Sequence, residues 1–167
     1  MIINKQLAKS RSNKQKDKDK WATPQYLFDK MNEEFNFTLD PCCEIETAKC
    51  EKYYTPYENG LSKSWGGEVV FCNPPYSQLY IWLKKCYEES LKPNTIVVAL
   101  VPVSGSSKWW NRLVTNKCEI RFIEGRVAFV GAGKSPAPFS SVWLIYGGED
   151  NQKFKTEYAK PIQPKLI

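Results

Sequence analysis

Four consecutive residues, Asn73-Pro74-Pro75-Tyr76, bring together groups able to hold and stack on an amine-bearing ring. Two successive prolines fix φ and remove two N–H donors, so the Pro74 carbonyl stays where the backbone aims it, without a local partner. Asn73 adds a side-chain carbonyl oxygen beside it. Two convergent acceptors clamp an –NH₂ group, and Tyr76 offers a flat face to the ring that carries it. The nitrogen of an aromatic amine is a weak nucleophile because its lone pair is delocalised. Hydrogen bonds from both N–H groups to Asn73 and Pro74 favour a tetrahedral nitrogen and return the lone pair for attack on an activated methyl group. Taken alone, the four residues also read as a rigid turn that ends a strand.

Other chemistries are closed to this chain. It contains no histidine in 167 residues, which excludes Ser-His-Asp hydrolysis, Cys-His proteolysis and histidine acid–base catalysis. Methylation of an amine needs no strong base, because the proton can leave after transfer. The six cysteines, Cys42, Cys43, Cys50, Cys72, Cys86 and Cys118, form no C-x-x-C pair. They read as reduced, half-buried thiols, and no metal site is expected.

These residues need elements to position them. Thr23 as N-cap and Pro24 at the first helical position start a helix that Tyr26, Leu27, Met31 and Phe35 continue and Asn36 ends. A short strand at Phe37-Thr38-Leu39 runs into Asp40-Pro41, and Lys52-Tyr53-Tyr54 forms another. Asn59-Gly60 marks a turn. Glu68 to Cys72 is a buried strand that delivers Asn73 at its carboxyl end. Leu79, Trp82, Leu83, Cys86, Tyr87 and Leu91 recur at helical spacing over 78–91. Thr95 to Val101 is apolar enough for a central strand buried on both faces. A helix at 106–116 follows, then strands at Glu119–Ile123, Arg126–Val130 and Ser141–Tyr146. The alternation predicts a three-layer α/β/α sandwich, mostly parallel, with an antiparallel C-terminal hairpin. In such sheets ligands bind beyond the carboxyl ends of the strands, where Asn73 to Tyr76 lies.

At 42% hydrophobic and 14% aromatic, the chain can build a core. It divides into a basic arm at 1–20, a domain at 21–150 and a polar tail at 151–167. The net charge of +6 is concentrated in the arm, where seven cations face only Asp17 and Asp19. That arm reads either as a phosphate contact or as a solvated tail. The sequence holds no apolar run of about 18 residues and no signal-peptide core, so the expected location is cytoplasmic, with no membrane partner.

Several motifs in fixed order resemble the phage-type DNA N-6-adenine methyltransferase (Dam-like) family. They are Trp21-Ala22-Thr23-Pro24, Phe35 to Pro41, Asn59-Gly60-Leu61 with Trp65, Phe71 to Ser77, Trp109-Trp110, Gly125 to Phe129 and Ala137 to Ser141. The resemblance covers roughly residues 21–147. The resemblance implies a Rossmann-like methyltransferase fold, S-adenosylmethionine as methyl donor and double-stranded DNA as partner. Asn73, Pro74, Pro75 and Tyr76 become the catalytic loop acting on a flipped adenine.

The same resemblance assigns further residues. Asp40 and Pro41 stand where the family's first cofactor motif ends its strand, although the glycine-rich form of that motif is absent here. Asp40 is then expected to receive the donor's ammonium; otherwise it is a turn or cap aspartate. Trp21, Thr23 and Pro24 match the segment against the methionine part. Asn59 and Leu61 match the adenine contact, with Glu58 as a substitute for the acidic residue usual at position 59. Phe129, ahead of Phe139, is placed against the far face of the target base, with sheet core as the ordinary alternative for either ring. Arg126 and Lys134 are candidates for phosphate or a base edge. With no room for a separate recognition domain, target sequence would be read by loops 42–50, 104–116 and 131–138 or by a second subunit; the chain is expected as a monomer or a homodimer. The same loop also serves RNA-base and protein-glutamine methyltransferases, and an inactive nucleic-acid-binding module is a further alternative.

Overall fold

The computed structural model describes residues 18–147. Residues 1–17 of the basic arm and all of the polar tail lie outside the described residues. Six strands form one sheet: β1 (Leu39–Asp40), β2 (Lys52–Tyr53), β3 (Val69–Cys72), β4 (Ile96–Pro102), β5 (Glu119–Phe122) and β6 (Ser141–Gly147), in the order β2-β1-β3-β4-β6-β5. The first four strands are parallel, β6 runs antiparallel to β4 from Ile96↔Gly147 to Pro102↔Ser141, and β5 is antiparallel to β6. Three helices pack on it: α1 (Gln25–Phe35), α2 (Leu79–Ser90) and α3 (Lys108–Leu113).

The alternation along β4 and β6 shows why two helical layers are needed. Val97, Ala99 and Val101, with Leu144 and Tyr146, pack with Trp82, Leu83 and Cys86 of α2 and with Trp110 and Leu113 of α3. Val98 and Leu100, with Trp143 and Ile145, pack on the opposite face with Leu27, Phe28 and Met31 of α1. Each fully buried aliphatic or aromatic side chain contributes about 1.5–3 kcal/mol, and a strand apolar on both faces is stable only with both covered. The expected α/β/α sandwich is present, mostly parallel with an antiparallel end. Among the described residues no helix is long and apolar enough to cross a membrane.

Three local expectations need correction. Thr23 does not cap α1: Pro24 takes the cap position at φ −56°, ψ 141°, no side-chain cap bond forms, and the buried Thr23 hydroxyl has no partner among the described residues. The helix begins one residue later than expected, at Gln25, so Thr23 stands one position outside the cap, where a hydroxyl does not serve the first-turn N–H groups. Residues 126–130 do not form a strand. β6 already has β4 and β5 on its two edges, so this segment finds only a single antiparallel bridge, Ala22↔Val130. The helix at 106–116 contracts to Lys108–Leu113, started by Ser107, whose Oγ accepts from the Trp110 N–H at 3.2 Å.

One buried acid ties α2 to the loop before β3. Glu89 is 4% exposed, and its carboxylate accepts from the Trp65 N–H (2.8 Å), Lys85 Nζ (2.6 Å) and Lys92 Nζ (2.6 Å). Burial pushes its pKa up, but these three donors outweigh that and hold it below the usual carboxylate range. Glu89→Ala removes the acceptor of a buried N–H, at a cost of about 2–3 kcal/mol. Denaturant unfolding is expected to show a loss of that size, with Glu89→Gln, which keeps an acceptor for Trp65, losing less.

Candidate active site

Parallel strands β1 and β3 lie side by side, with Leu39 paired to Val70, so their carboxyl ends open on the same side of the sheet. Asp40 ends β1 and Asn73 follows β3. Between these ends and the loops after β1 and β2 lies a cavity of about 460 Å³, within the usual range of ligand pockets. Trp21, Thr23, Asp40, Pro41, Asn59 and Leu61 all line it, as do Asn73 and Pro75. Residues separated by up to about a third of the chain are thus gathered in one place.

The Asn73 carboxamide has a defined orientation. Its Nδ2 donates to the Trp21 carbonyl at 2.9 Å, and that oxygen can only accept. Oδ1 is therefore the other end of the amide, and among the described residues it takes no hydrogen bond. The Pro74 carbonyl also receives none, whereas the neighbouring Pro75 carbonyl is engaged by the Gln78 N–H at 2.9 Å. Two unused acceptors sit on consecutive residues, one of which lines the cavity. The Asn73 carbonyl is occupied by the Cys42 thiol at 3.2 Å.

Segment 18–23 assembles the rest of this wall. Asp19 accepts from the backbone N–H and hydroxyl of Ser77, directly after Tyr76. The Trp21 ring stacks near Phe129 at 5.8 Å and Phe139 at 6.3 Å. Tyr76 meets the same two rings edge-on, at 6.1 Å and 5.6 Å. Tyr76 is only 7% exposed, its hydroxyl is buried without a partner among the described residues, and it does not line the cavity. Phe129 is buried and Phe139 half-buried. Pro24, Pro74 and Arg126 also stand outside the cavity lining; Arg126 is exposed and makes a long 3.4 Å contact to the Ala137 carbonyl. Lys134 is exposed in the loop before Ala137.

Asp40 is the electrostatic centre of the cavity. It is 2% exposed and forms no ion pair among the described residues. The Lys49 N–H donates to one carboxylate oxygen at 3.0 Å and the Cys42 N–H reaches the other at 3.5 Å. Burial raises its pKa to about 6, against these hydrogen bonds, which lower it. The adjoining thiols are free. Burial pushes Cys42 and Cys43 up, and Cys50 up to about 12, so all three stay protonated and add neither negative charge nor a competing nucleophile.

Several cavity residues escaped the sequence reading, among them Gly60, Trp82, Gln78 and Lys49. Gly60 was read only as a turn, yet a Cβ there would overlap the Pro41 carbonyl, so glycine is what lets the two loops touch. Trp82 and Gln78 reach the cavity from α2 and the turn before it; the buried Trp82 Nε1 has no acceptor among the described residues. Lys49 lines the cavity too, from a loop whose sequence carried no signal for this position. Glu58 does not line it. Its carboxylate is engaged by the N–H and hydroxyl of Thr55, leaving Asn59 at the cavity wall.

A buried carboxylate without a counter-ion costs stability, and its sign is testable. A native pKa raised to about 6 from 3.8 means the folded state favours the protonated form. That contribution is present below pH 3.8 and is lost as pH rises through about 6. Asp40→Asn does not titrate, so its stability relative to the natural chain is expected to improve by up to about 3 kcal/mol between pH 4 and 7. Thermal or denaturant unfolding across that range measures it; a constant difference would remove the buried-charge description.

The sequence has counterparts among known proteins. The profile of the DNA N-6-adenine-methyltransferase (Dam) family matches residues 9–141. A DNA N-6-adenine-methyltransferase of Haemophilus phage HP1 is 37% identical over 122 residues, covering 71% of this chain and 70% of the relative. One from Escherichia phage T1 is 32% identical over 109 residues, covering 64% of this chain and 45% of the relative. A putative methyltransferase of Escherichia coli K12, YfdM, is 37% identical over 65 residues, 35% of this chain and 71% of the relative. Both the extent of the profile match and the identity to the HP1 protein lead to one conclusion: the chain belongs to the DNA N-6-adenine-methyltransferase family.

Proposed function

We propose that this protein methylates the exocyclic amine of adenine in double-stranded DNA, with Asn73 and Pro74 as the amine clamp. The observation that carries the reading is the fixed Asn73 amide: with Nδ2 held on the Trp21 carbonyl, Oδ1 and the Pro74 oxygen are the acceptors left over. S-adenosylmethionine, which the methyltransferase family implies, supplies an electrophilic methyl group on a sulfonium. The cavity residues fit it. Buried Asp40 suits its ammonium, the unpartnered Thr23 hydroxyl offers a further hydrogen bond, and Trp21 and Pro41 give apolar wall. Asn59 and Leu61 are assigned to its adenine end, where Trp82 joins them.

The chain's own work on the target is to bind and orient it. An adenine in a duplex must be flipped out, at a cost of a few kcal/mol. Stacking on an aromatic ring returns about 1–3 kcal/mol per base. Tyr76 reaches that role only if an adjoining ring yields, and half-buried Phe139 is better placed to do so than buried Phe129. The assignment of the base-facing ring thus moves from Phe129 to Phe139. Exposed Arg126 and Lys134, on the same C-terminal loop, are assigned to phosphate. Both N–H groups of the target amine donate to Asn73 Oδ1 and Pro74 O, concentrating the lone pair on nitrogen. The proton is released to water after transfer, since no histidine exists to take it.

Incubation with labelled S-adenosylmethionine and phage DNA, transfer RNA or a protein mixture tests the substrate. Label is expected in DNA as 6-methyladenine; label confined to RNA or protein contradicts the reading, as does cofactor binding without any product. Asn73→Ala is expected to lower turnover by about a hundredfold or more while cofactor affinity stays within about tenfold. Loss of cofactor binding in that variant would remove Asn73 from the amine clamp.

A further inference from the structure

Residues 18–21 form a turn closed by the Trp21 N–H, which donates to the Lys18 carbonyl at 3.2 Å. Two groups of this turn reach the Asn73–Tyr76 loop. The Asp19 carboxylate takes both donors of Ser77, the backbone N–H on Oδ1 at 2.8 Å and the hydroxyl on Oδ2 at 2.5 Å. The Trp21 carbonyl accepts from Asn73 Nδ2 at 2.9 Å. The loop is thus gripped at its first residue and directly after its last, by groups two positions apart in one turn. Beyond the turn, Ala22 and Val130 exchange both backbone N–H···O bonds, at 3.0 Å and 2.9 Å, which ties the grip to the C-terminal loop.

The two prolines fix φ within the loop but leave its peptide planes free to turn about ψ. Holding both ends removes that freedom. Asp19 supplies the stronger hold, because hydrogen bonds to a carboxylate are about twice as strong as those between neutral groups. Asp19 lines the cavity, yet each of its oxygens already accepts from Ser77, so its effect on a bound target passes through the loop. We infer that Asp19 is a positioning residue for methyl transfer: through Ser77 it sets the turn against the loop and so keeps the Asn73 amide on Trp21, with Oδ1 facing the target amine. This rests on the amine-clamp reading above and adds to it the residue that preorganises the clamp. Such acceptors work only when held within about 0.5 Å of the productive geometry.

Single-turnover methyl transfer to DNA by the full chain, with calorimetric titration of S-adenosylhomocysteine, checks this in a cycle with Asn73. Asp19→Ala is expected to slow transfer by about tenfold to a hundredfold, with S-adenosylhomocysteine affinity kept within about threefold. Asp19→Asn, whose side-chain oxygen still accepts from the Ser77 N–H, should recover part of the loss. Since Asp19 acts through the clamp, adding Asp19→Ala to Asn73→Ala should slow transfer by no more than about threefold further. Hydrogen exchange of the Asn73 side-chain amide, followed by NMR, should quicken in Asp19→Ala while the β4 amides stay protected. An unchanged rate in Asp19→Ala overturns the inference, as does an equal loss of rate and cofactor affinity, a loss fully additive with Asn73→Ala, or unaltered exchange at the Asn73 amide. If Asp19→Ala does not fold, Ser77→Ala, which removes only the hydroxyl, enters the same cycle with an expected loss of about threefold to tenfold. An Asn73→Ala chain that transfers methyl as fast as the natural one removes the amine clamp itself; an impaired Asn73→Ala with an additive Asp19→Ala removes only the role given to Asp19.

Discussion

The hydrogen bond from the Asn73 carboxamide to the Trp21 carbonyl joins residues 52 positions apart and fixes the geometry on which the site depends. A free asparagine side chain presents either its donor or its acceptor end. Here the carbonyl partner admits only the donor, so the acceptor end is left for a ligand. The bond holds only if segment 18–23 stays in place, and several contacts secure it. Asp19 holds Ser77, Ala22 pairs with Val130, and the Trp21 ring lies near Phe129 and Phe139. This segment precedes the sheet in the chain, yet it closes the site from outside the sheet. The β3 strand places Asn73; residues 18–23 decide which way it faces.

A second constraint is electrostatic. Burying Asp40 at the carboxyl end of β1 raises its pKa toward neutrality, a cost the fold bears without a counter-ion of its own. Surrounding it with protonated thiols rather than with acids avoids like-charge repulsion, while the water-poor wall that raises its pKa also keeps the local dielectric low. In such a wall a cationic ligand gains more than it would in water. The backbone supports the arrangement: two N–H groups hold the carboxylate, and Gly60 lets the opposite loop approach Pro41. Trp65 carries this order into the core, since its indole N–H donates to the Gly60 carbonyl at 3.0 Å and its backbone N–H reaches Glu89. Stability at Glu89 and geometry at the cavity are therefore linked.

Much of this was legible in the residues. The strand periods, the Asn36 helix stop and the turn at Asn59-Gly60 are local, and local signals survive folding. Asn36 and Asn59 both adopt positive φ, at 53°. The convergence of Trp21, Thr23, Asp40, Asn59, Leu61 and Asn73 on one cavity follows from the parallel order of β1 and β3. What could not be read depends on contacts distant in sequence. Nothing near Thr23 says that its hydroxyl is left unpaired, and nothing near Arg126–Val130 says that β6 has no edge to give. Trp82 has the spacing of a core residue and is one; that its indole also borders the cavity is decided by where α2 lies. The chemistry of the loop gave Tyr76 a flat face for stacking, whereas the structure packs that ring against Phe129 and Phe139.

The orientation of the amine clamp can be observed directly. A crystal structure with sinefungin and a DNA duplex containing the methylated site would place a flipped adenine against the loop. The account expects its exocyclic nitrogen within about 3 Å of both Asn73 Oδ1 and Pro74 O, with Asn73 Nδ2 still on the Trp21 carbonyl. An adenine amine bound elsewhere, or an Asn73 amide released from Trp21 and turned to donate to the base, would contradict it.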